Sequence, residues 1–310
     1  MSQWTELLWV GLLVALSSPA RAAMPTPKGL EGDIRFWEAV FETYTPEQCV
    51  FHDKEDLSIV YVVKKLPGST PQAQVRNGRR YIAAIRASIS YLADGGAPRN
   101  LLERRIEAVT PPESRTPAYY RTAMNNVRCQ RGVDLGPSFV RSRQHLGMVK
   151  RVLSKHGLPE DLAYLPHLES GYHLQAHSRA GAKGIWQLMP ATARLMGMRV
   201  SKSTDQRLSP YKSTIVAASI FKDLFASTGS WPLAVTAYNY GPNGMRRAIR
   251  QWGKDYMNIR ENHKTSIFGF ASRNYYPSFL AVRNVAERSL VVAEGSPVAL
   301  DGTPRGKKSL

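Results

Sequence analysis

Leu165-Pro-His-Leu-Glu-Ser-Gly-Tyr172, followed shortly by Ser178-Arg-Ala-Gly-Ala-Lys-Gly-Ile-Trp-Gln-Leu-Met-Pro190, is the stretch on which the reading of this chain turns. Glu169 closes a run dominated by apolar residues (Leu162, Ala163, Leu165, Leu168) and is the only carboxylate from Leu162 to Thr204. Apolar surroundings disfavour the charged form of a glutamic acid, which raises its pKa above the usual carboxylate value. That protonation state suits a group that must give a proton to a leaving oxygen near neutral pH. A solvated glutamate at a helix end would look the same in isolation, so the neighbours decide. The small residues Ala180-Gly-Ala182 and Gly184 would let an extended polymer come close to the backbone. Trp186 offers a stacking or packing surface, and Gln187 an amide with two donors and an acceptor. Ala237-Tyr-Asn-Tyr-Gly-Pro242 then puts another hydroxyl and amide at the end of a short helix. Groups of this kind suit sugar hydroxyls and N-acetyl groups.

Working outward, the chain from Pro137 onward reads as helix after helix. Phe139, Leu146, Val149 and Leu153 line one face, Gly157 has the place of a residue just past a helix end, and Pro159 restarts a helix. Tyr211 to Phe225, Pro232 to Asn239, Pro242 to Trp252 and Phe270 to Leu290 are further expected helices. Upstream, Ile34, Trp37, Phe41 and Tyr44 recur at helical spacing, and Ile82, Ile85, Ile89 and Leu92 mark a second helix closed by Gly95-Gly96. Leu57 to Val63 is the best strand candidate, and Thr110 to Pro117 a candidate boundary segment. The expectation is a mainly α chain. A smaller, mostly helical N-terminal region (residues 23–135) with at most a short strand precedes a helical domain over residues 136–292. A disordered polar tail is expected over 293–310.

Forty-two Lys and Arg against 24 Asp and Glu give a net charge of +18, which calls for an acidic partner without choosing one. The N-terminus narrows the choice. The apolar run Leu7 to Leu16, then Ala20-Arg-Ala22, reads as a secretory signal cut after Ala22, although the first residues carry Glu6 and no Lys or Arg. The run is short for a membrane span and no Cys lies near the cut. An exported protein, periplasmic or secreted, is expected, with no stable membrane anchor and no nucleic-acid partner. Cys49 and Cys129 could pair in an oxidising compartment or remain buried thiols. His167, His173 and His177 have no carboxylate cluster to complete a site, so neither a metal centre nor another cofactor is expected.

The order of motifs from about Leu158 to Pro277 resembles the SLT-type lytic transglycosylases, particularly the group of membrane-bound lytic transglycosylase D. That family shows a Glu-Ser pair, Ala-Gly-Ala-x-Gly-hydrophobic-x-Gln, Ala-Tyr-Asn, and a Tyr-containing motif on a final helix. Here these look like Glu169-Ser170, Ala180 to Gln187, Ala237-Tyr-Asn239 and Ser272-Arg-Asn-Tyr-Tyr-Pro277, with Asp205-Gln-Arg207 similar to a family turn. Many relatives have Glu-Thr where this chain has Ala271-Ser272, and Tyr240 replaces a residue that is often small.

The resemblance implies a goose-lysozyme-like catalytic fold and an enzyme that cuts the β-1,4 bond between MurNAc and GlcNAc in peptidoglycan. Glu169 would be the single acid and base, closing a 1,6-anhydro ring on MurNAc. Ser170, Ser178, Gln187, Tyr238, Asn239 and Tyr275 would line the cleft, with Tyr238 orienting Glu169. Peptidoglycan glycan strands would be the partner of a monomeric enzyme. The alternative is a lysozyme-type hydrolase on the same fold, which Ala271 leaves open to modified, de-N-acetylated strands.

Overall fold

The computed structural model describes residues 24–295, so the expected signal (1–22) and residues 296–310 of the expected tail lie outside the described residues. In α1 (Glu31–Glu42) Ile34, Trp37, Val40 and Phe41 bury one stripe, as their spacing predicts. Then follow β1 (Gln48–Asp53), β2 (Val60–Lys65), α2 (Pro71–Ala93), α3 (Leu101–Val109), α4 (Pro117–Ala123) and β3 (Val127–Arg131). The strands form one antiparallel sheet in the order β2-β1-β3. This corrects the expectation of at most one short strand. The predicted strand lies a little further on, at β2, whereas β1 and β3 are short and mix Cys, Val and Phe with Gln, His, Asp and Arg. Runs that short carry no readable period, and their partners come from elsewhere in the chain.

The central strand faces two cores. Val50 joins the large helical core, while Cys49 and Phe51 point into a smaller one with Ile85 and Ile89 of α2, Ile106 of α3 and Tyr120 of α4. Within Thr110 to Pro117 a short 3₁₀ turn, Pro112–Ser114, lies between α3 and α4. Cys49 and Cys129 form a disulfide that ties β1 to β3 across a sequence separation of 80 residues. Confining a loop of that length in the unfolded chain matters more than any contact the sulfurs make. Replacing both cysteines by alanine is expected to lower the unfolding free energy by about 2–5 kcal/mol, read from urea denaturation of the two proteins.

The remainder comprises α5 (Gly136–Ser142), α6 (Leu146–Lys155), α7 (Leu165–Glu169), α8 (Pro190–Leu195), α9 (Pro210–Thr228), α10 (Trp231–Tyr240), α11 (Pro242–Trp252), α12 (Tyr256–Asn262) and α13 (Phe270–Gly295). The chain is mainly helical, as expected. The helix read as starting at Pro159 is in two pieces, a 3₁₀ turn over Glu160–Tyr164 and then α7. Pro166 lacks the N–H that would bond the carbonyl four residues back, so the helix restarts around it. Pro210 opens α9 behind the Ser209 cap, and Gly229 closes it in a left-handed conformation (φ 70°). Ala217, Ala218 and Phe221 of α9 pack with Leu233, Ala234, Val235 and Ala237 of α10 at the centre of the large core, all fully buried. Helix α1 packs along α13 and shares that core. Arg288 of α13 pairs with Glu38 (3.2 Å) and Glu42 (2.8 Å), and Arg260 of α12 with Asp33 (2.5 Å).

Candidate active site

Helix α7 ends on Glu169, and the backbone around that end is tied down. Ser170 Oγ donates to Pro166 O in its own helix (3.2 Å) and to Ile185 O in the facing loop (3.0 Å). Gly171 and Tyr172 both turn through φ 57°. The buried Tyr172 hydroxyl donates to Ala163 O (2.5 Å), and Arg141 Nε to Gly171 O (2.7 Å). A buried non-glycine residue in the left-handed region is costly and persists only where its surroundings over-determine it. Behind Glu169, His167 meets Ser138 Oγ at 2.6 Å. Burial lowers its pKa to about 3, so the ring is neutral around pH 7.

Glu169 accepts a hydrogen bond from the Tyr275 hydroxyl of α13. Burial raises its pKa above the ordinary carboxylate value, and the Tyr275 hydrogen bond partly opposes that. No cation and no second carboxylate among the described residues enters its electrostatic surroundings. The proton is therefore held to higher pH than on a free glutamate.

The facing loop is held by isolated β-bridges of Lys183 with His177 and with Leu188. Ser178 Oγ accepts from Ala182 N (3.0 Å), and Gln187, at φ 48°, donates Nε2 to Gly184 O (2.9 Å). Two sequence readings change here. Trp186 is fully buried with Nε1 donating to Thr214 Oγ1 (2.9 Å), so it packs the core and offers no face to a ligand. Gly184 answers to the loop's own packing, since a Cβ there would stand 2.0 Å from Arg207 O. Arg207 is the hub of that packing: its guanidinium pairs with Asp205 (2.7 Å) and donates to Gly181 O (2.7 Å) and Leu188 O (2.9 Å). Asp205 also pairs with Lys183 (3.3 Å), and the Arg207 hydrogen bond, its largest influence, takes its pKa down to about 2. That carboxylate is engaged in holding the loop.

Tyr238 lies flat on Phe221 (centroids 4.7 Å apart, 15° between planes) and its hydroxyl donates to Trp186 O (2.7 Å). It thus fixes the loop, and Tyr275 is the phenol that bonds Glu169. Burial raises the pKa of both phenols, with the Glu169 charge a further cause for each. Asn239 Oδ1 accepts from Ser272 Oγ (3.0 Å), which pins the end of α10 to α13. Two cavities adjoin this cluster. One, of about 180 Å³, is lined by Gln187, Met189, Ile220 and Tyr238. The other, of about 250 Å³, is lined by Trp37, Arg128, Leu168, Phe270, Asn274 and Tyr275. Trp37 and Arg128 carry no sequence signal for a site, because the sheet and α1 bring them to α13 only in the folded chain.

Removing the Tyr275 hydroxyl deprives Glu169 of the one donor among the described residues that favours its ionised form. Tyr275→Phe is expected to move the alkaline limb of the pH–activity profile to higher pH. A charge-assisted hydrogen bond is worth about 1.5–3 kcal/mol, so the rate should fall by roughly tenfold or more. Steady-state rates across pH check both effects.

Residues 149–259 match the family model for the transglycosylase SLT domain. The chain is 28% identical over 155 residues to membrane-bound lytic murein transglycosylase D of Escherichia coli (strain K12), which covers 48% of this chain and 33% of that protein. It is 33% identical over 110 residues to a protein of Alteromonas sp. (strain M-1) named for tributyltin chloride resistance, covering 35% of this chain and 53% of the relative. Among solved structures, an inactive mutant of the lytic transglycosylase Slt from Pseudomonas aeruginosa superposes with a TM-score of 0.41 at 18% identity, over 71% of this chain and 33% of that one. Over residues 149–259 the chain thus matches the transglycosylase SLT domain. It spans a third of the length of the Escherichia coli relative.

Proposed function

We propose that this protein cleaves the glycan strands of peptidoglycan at the bond between MurNAc and GlcNAc, with Glu169 as acid and then base. The observation that carries this reading is the Glu169 carboxyl, whose pKa burial raises above the ordinary value, without a cationic partner among the described residues, and hydrogen-bonded by Tyr275. Protonated Glu169 gives its proton to the glycosidic oxygen as the bond to C1 of MurNAc breaks. The resulting carboxylate takes the proton of the MurNAc C6 hydroxyl, whose oxygen attacks C1 and closes the 1,6-anhydro ring. No water is consumed, and one residue serves both proton transfers. Glycosidases of the usual kind divide that work between two carboxylates. Here Asp205 is engaged in a structural ion pair, which supports the intramolecular route.

Ser170, Ser178 and Gln187 shape the loop facing Glu169, and Tyr238 and Asn239 hold the end of α10 beside it. In this reading their free donors and acceptors contact the saccharide. A basic exported protein suits a polymer whose stem peptides carry carboxylates. The test is mass spectrometry of the fragments released from purified peptidoglycan by the native protein and by Glu169→Gln. Fragments lighter by one water than hydrolysed muropeptides, and absent with the variant, are expected. Fragments with free reducing ends would assign the protein to the lysozyme-type hydrolases, and fragments that persist with the variant would remove Glu169 from the mechanism.

A further inference from the structure

We infer that the cavity between α1, β3 and α13, beside Glu169, is a subsite for a carboxylate-bearing substituent on the glycan, with Arg128 as the residue that recognises it. The inference rests on the proposed glycan cleavage and adds a specificity determinant from outside the segment matched by the SLT model, residues 149–259.

The cavity lies beside Glu169, through its neighbours. Leu168 precedes Glu169 in the chain, Tyr275 bonds it, and both line the cavity. Its opposite wall is built by Trp37 of α1 and Arg128 and Gln130 of β3. Arg128 is exposed, and its guanidinium lies over the Phe270 ring, 4.1 Å from the centroid. It makes no ion pair or hydrogen bond through its side chain among the described residues. The contact with Phe270 holds the guanidinium at the cavity while its N–H groups stay without a partner among the described residues, and a guanidinium fork suits a carboxylate.

Two residues of the cavity wall also carry buried polar atoms that lack a partner among the described residues. Trp37 Nε1 is a donor and Asn274 Oδ1 an acceptor, each buried without a hydrogen-bond partner. Asn274 is only 3% exposed. Buried polar atoms left unpaired are costly and call for a partner. The local charges favour an anion. Ala271 puts no carboxylate into the cavity. His52, paired across the sheet with Arg128, is kept neutral at pH 7 by burial, which lowers its pKa to about 4. Beyond Phe270 a second cavity of about 390 Å³ is lined by Lys54, Lys264 and Arg273, with Glu55 as its one carboxylate among the described residues and already paired to Arg273 (2.5 Å).

On a peptidoglycan strand the carboxylate has two sources: the lactyl group of an unsubstituted MurNAc, or the stem peptide attached there. Binding measured in a Glu169→Gln background separates this proposal from the catalytic one, because it needs no turnover. Three probes serve: a GlcNAc tetramer without carboxylates, peptide-free glycan with lactyl carboxylates, and a peptide-bearing muropeptide. Arg128→Gln is expected to weaken a carboxylate-bearing probe by about tenfold, as befits loss of a charge-assisted hydrogen bond at an accessible site. The GlcNAc tetramer should bind unchanged. Loss on the peptide-free glycan assigns the lactyl group, and loss confined to the muropeptide assigns the stem peptide.

Arg86→Gln, an exposed charge on α2 away from the cavity, should leave all three affinities unchanged. Arg128→Lys keeps the charge, loses the fork, and should recover only part of the affinity. Equal weakening of all three probes, no weakening of any, the same loss with Arg86→Gln, or no binding by the Arg128 parent would each overturn the proposal. Thermal unfolding of each variant shows whether a loss reflects the site or the fold.

Discussion

Glu169→Gln is expected to lower the rate of glycan cleavage by about 10²–10⁴-fold, the usual cost of losing a general acid. The amide keeps the size and the Tyr275 hydrogen bond but has no proton to give at the pH where the carboxyl does. The same substitution makes a second forecast of opposite sign, for stability. Burial raises the Glu169 pKa in the folded chain. A carboxyl whose folded pKa lies above its unfolded one imposes no penalty below the unfolded value, where both states are protonated. It weakens the fold as pH rises through the folded value, because the unfolded chain ionises more easily. Gln does not ionise, so the variant should melt higher than the native protein at pH 8 and at nearly the same temperature at pH 4. Calorimetry at the two pH values decides this. A variant that is inactive and also less stable at pH 8 would mean that Glu169 supports the fold rather than being strained by it.

Arg207→Ala should be among the most destabilising single substitutions in the chain, at about 3–5 kcal/mol, the cost of breaking a buried ion pair by removing one partner. The side chains of Arg207 and Asp205 are 4% and 8% exposed, so solvent screens the pair little. Losing the guanidinium strips Gly181 O of its side-chain donor, leaves Leu188 O with the Lys183 N–H, and leaves Asp205 with Lys183 as its remaining cation among the described residues. The loop that carries Ser178 and Gln187 then loses its anchor, and Tyr238 loses the fixed position of Trp186 O. Activity should therefore fall further than the folded fraction does. The pH dependence follows from Asp205, whose pKa is held down to about 2 chiefly by Arg207. Its contribution is complete above the ordinary carboxylate pKa near 4 and is lost as pH falls from there through about 2. In Arg207→Ala the acid transition should begin at higher pH. Urea denaturation at neutral pH and an acid titration followed by circular dichroism test the two parts, and an acid transition unmoved by the substitution would show that Asp205 does not depend on Arg207.

The candidate site was legible in the sequence to the extent that its chemistry is local. Glu169 stands out because it is a lone carboxylate after an apolar run, and the structure places it where such a residue is costly to ionise. The long helices were legible for a similar reason, since Pro210, Gly229 and the apolar stripe of α9 each declare themselves within a few residues. What each side chain near Glu169 does was not legible. Trp186 turned inward, Gly184 proved to serve Arg207, and Tyr275 took the place at Glu169 expected of Tyr238. These outcomes depend on which atom from a distant part of the chain lies within about 3 Å of a given group, and no periodicity encodes that.

By itself, then, the sequence determined a mainly helical chain, the order of its motifs and the isolation of Glu169 after an apolar run. Apolar period, helix-ending residues and the isolation of a charge are properties of neighbouring positions, so they survive without coordinates. Only the tertiary structure decided the three-stranded sheet, the Cys49–Cys129 disulfide and the wall that Trp37 and Arg128 build beside Glu169. Each joins residues far apart in the chain. Strands as short as β1 and β3 take their stability from one another and from the two cores on either side, and that energy exists only once the whole chain has folded.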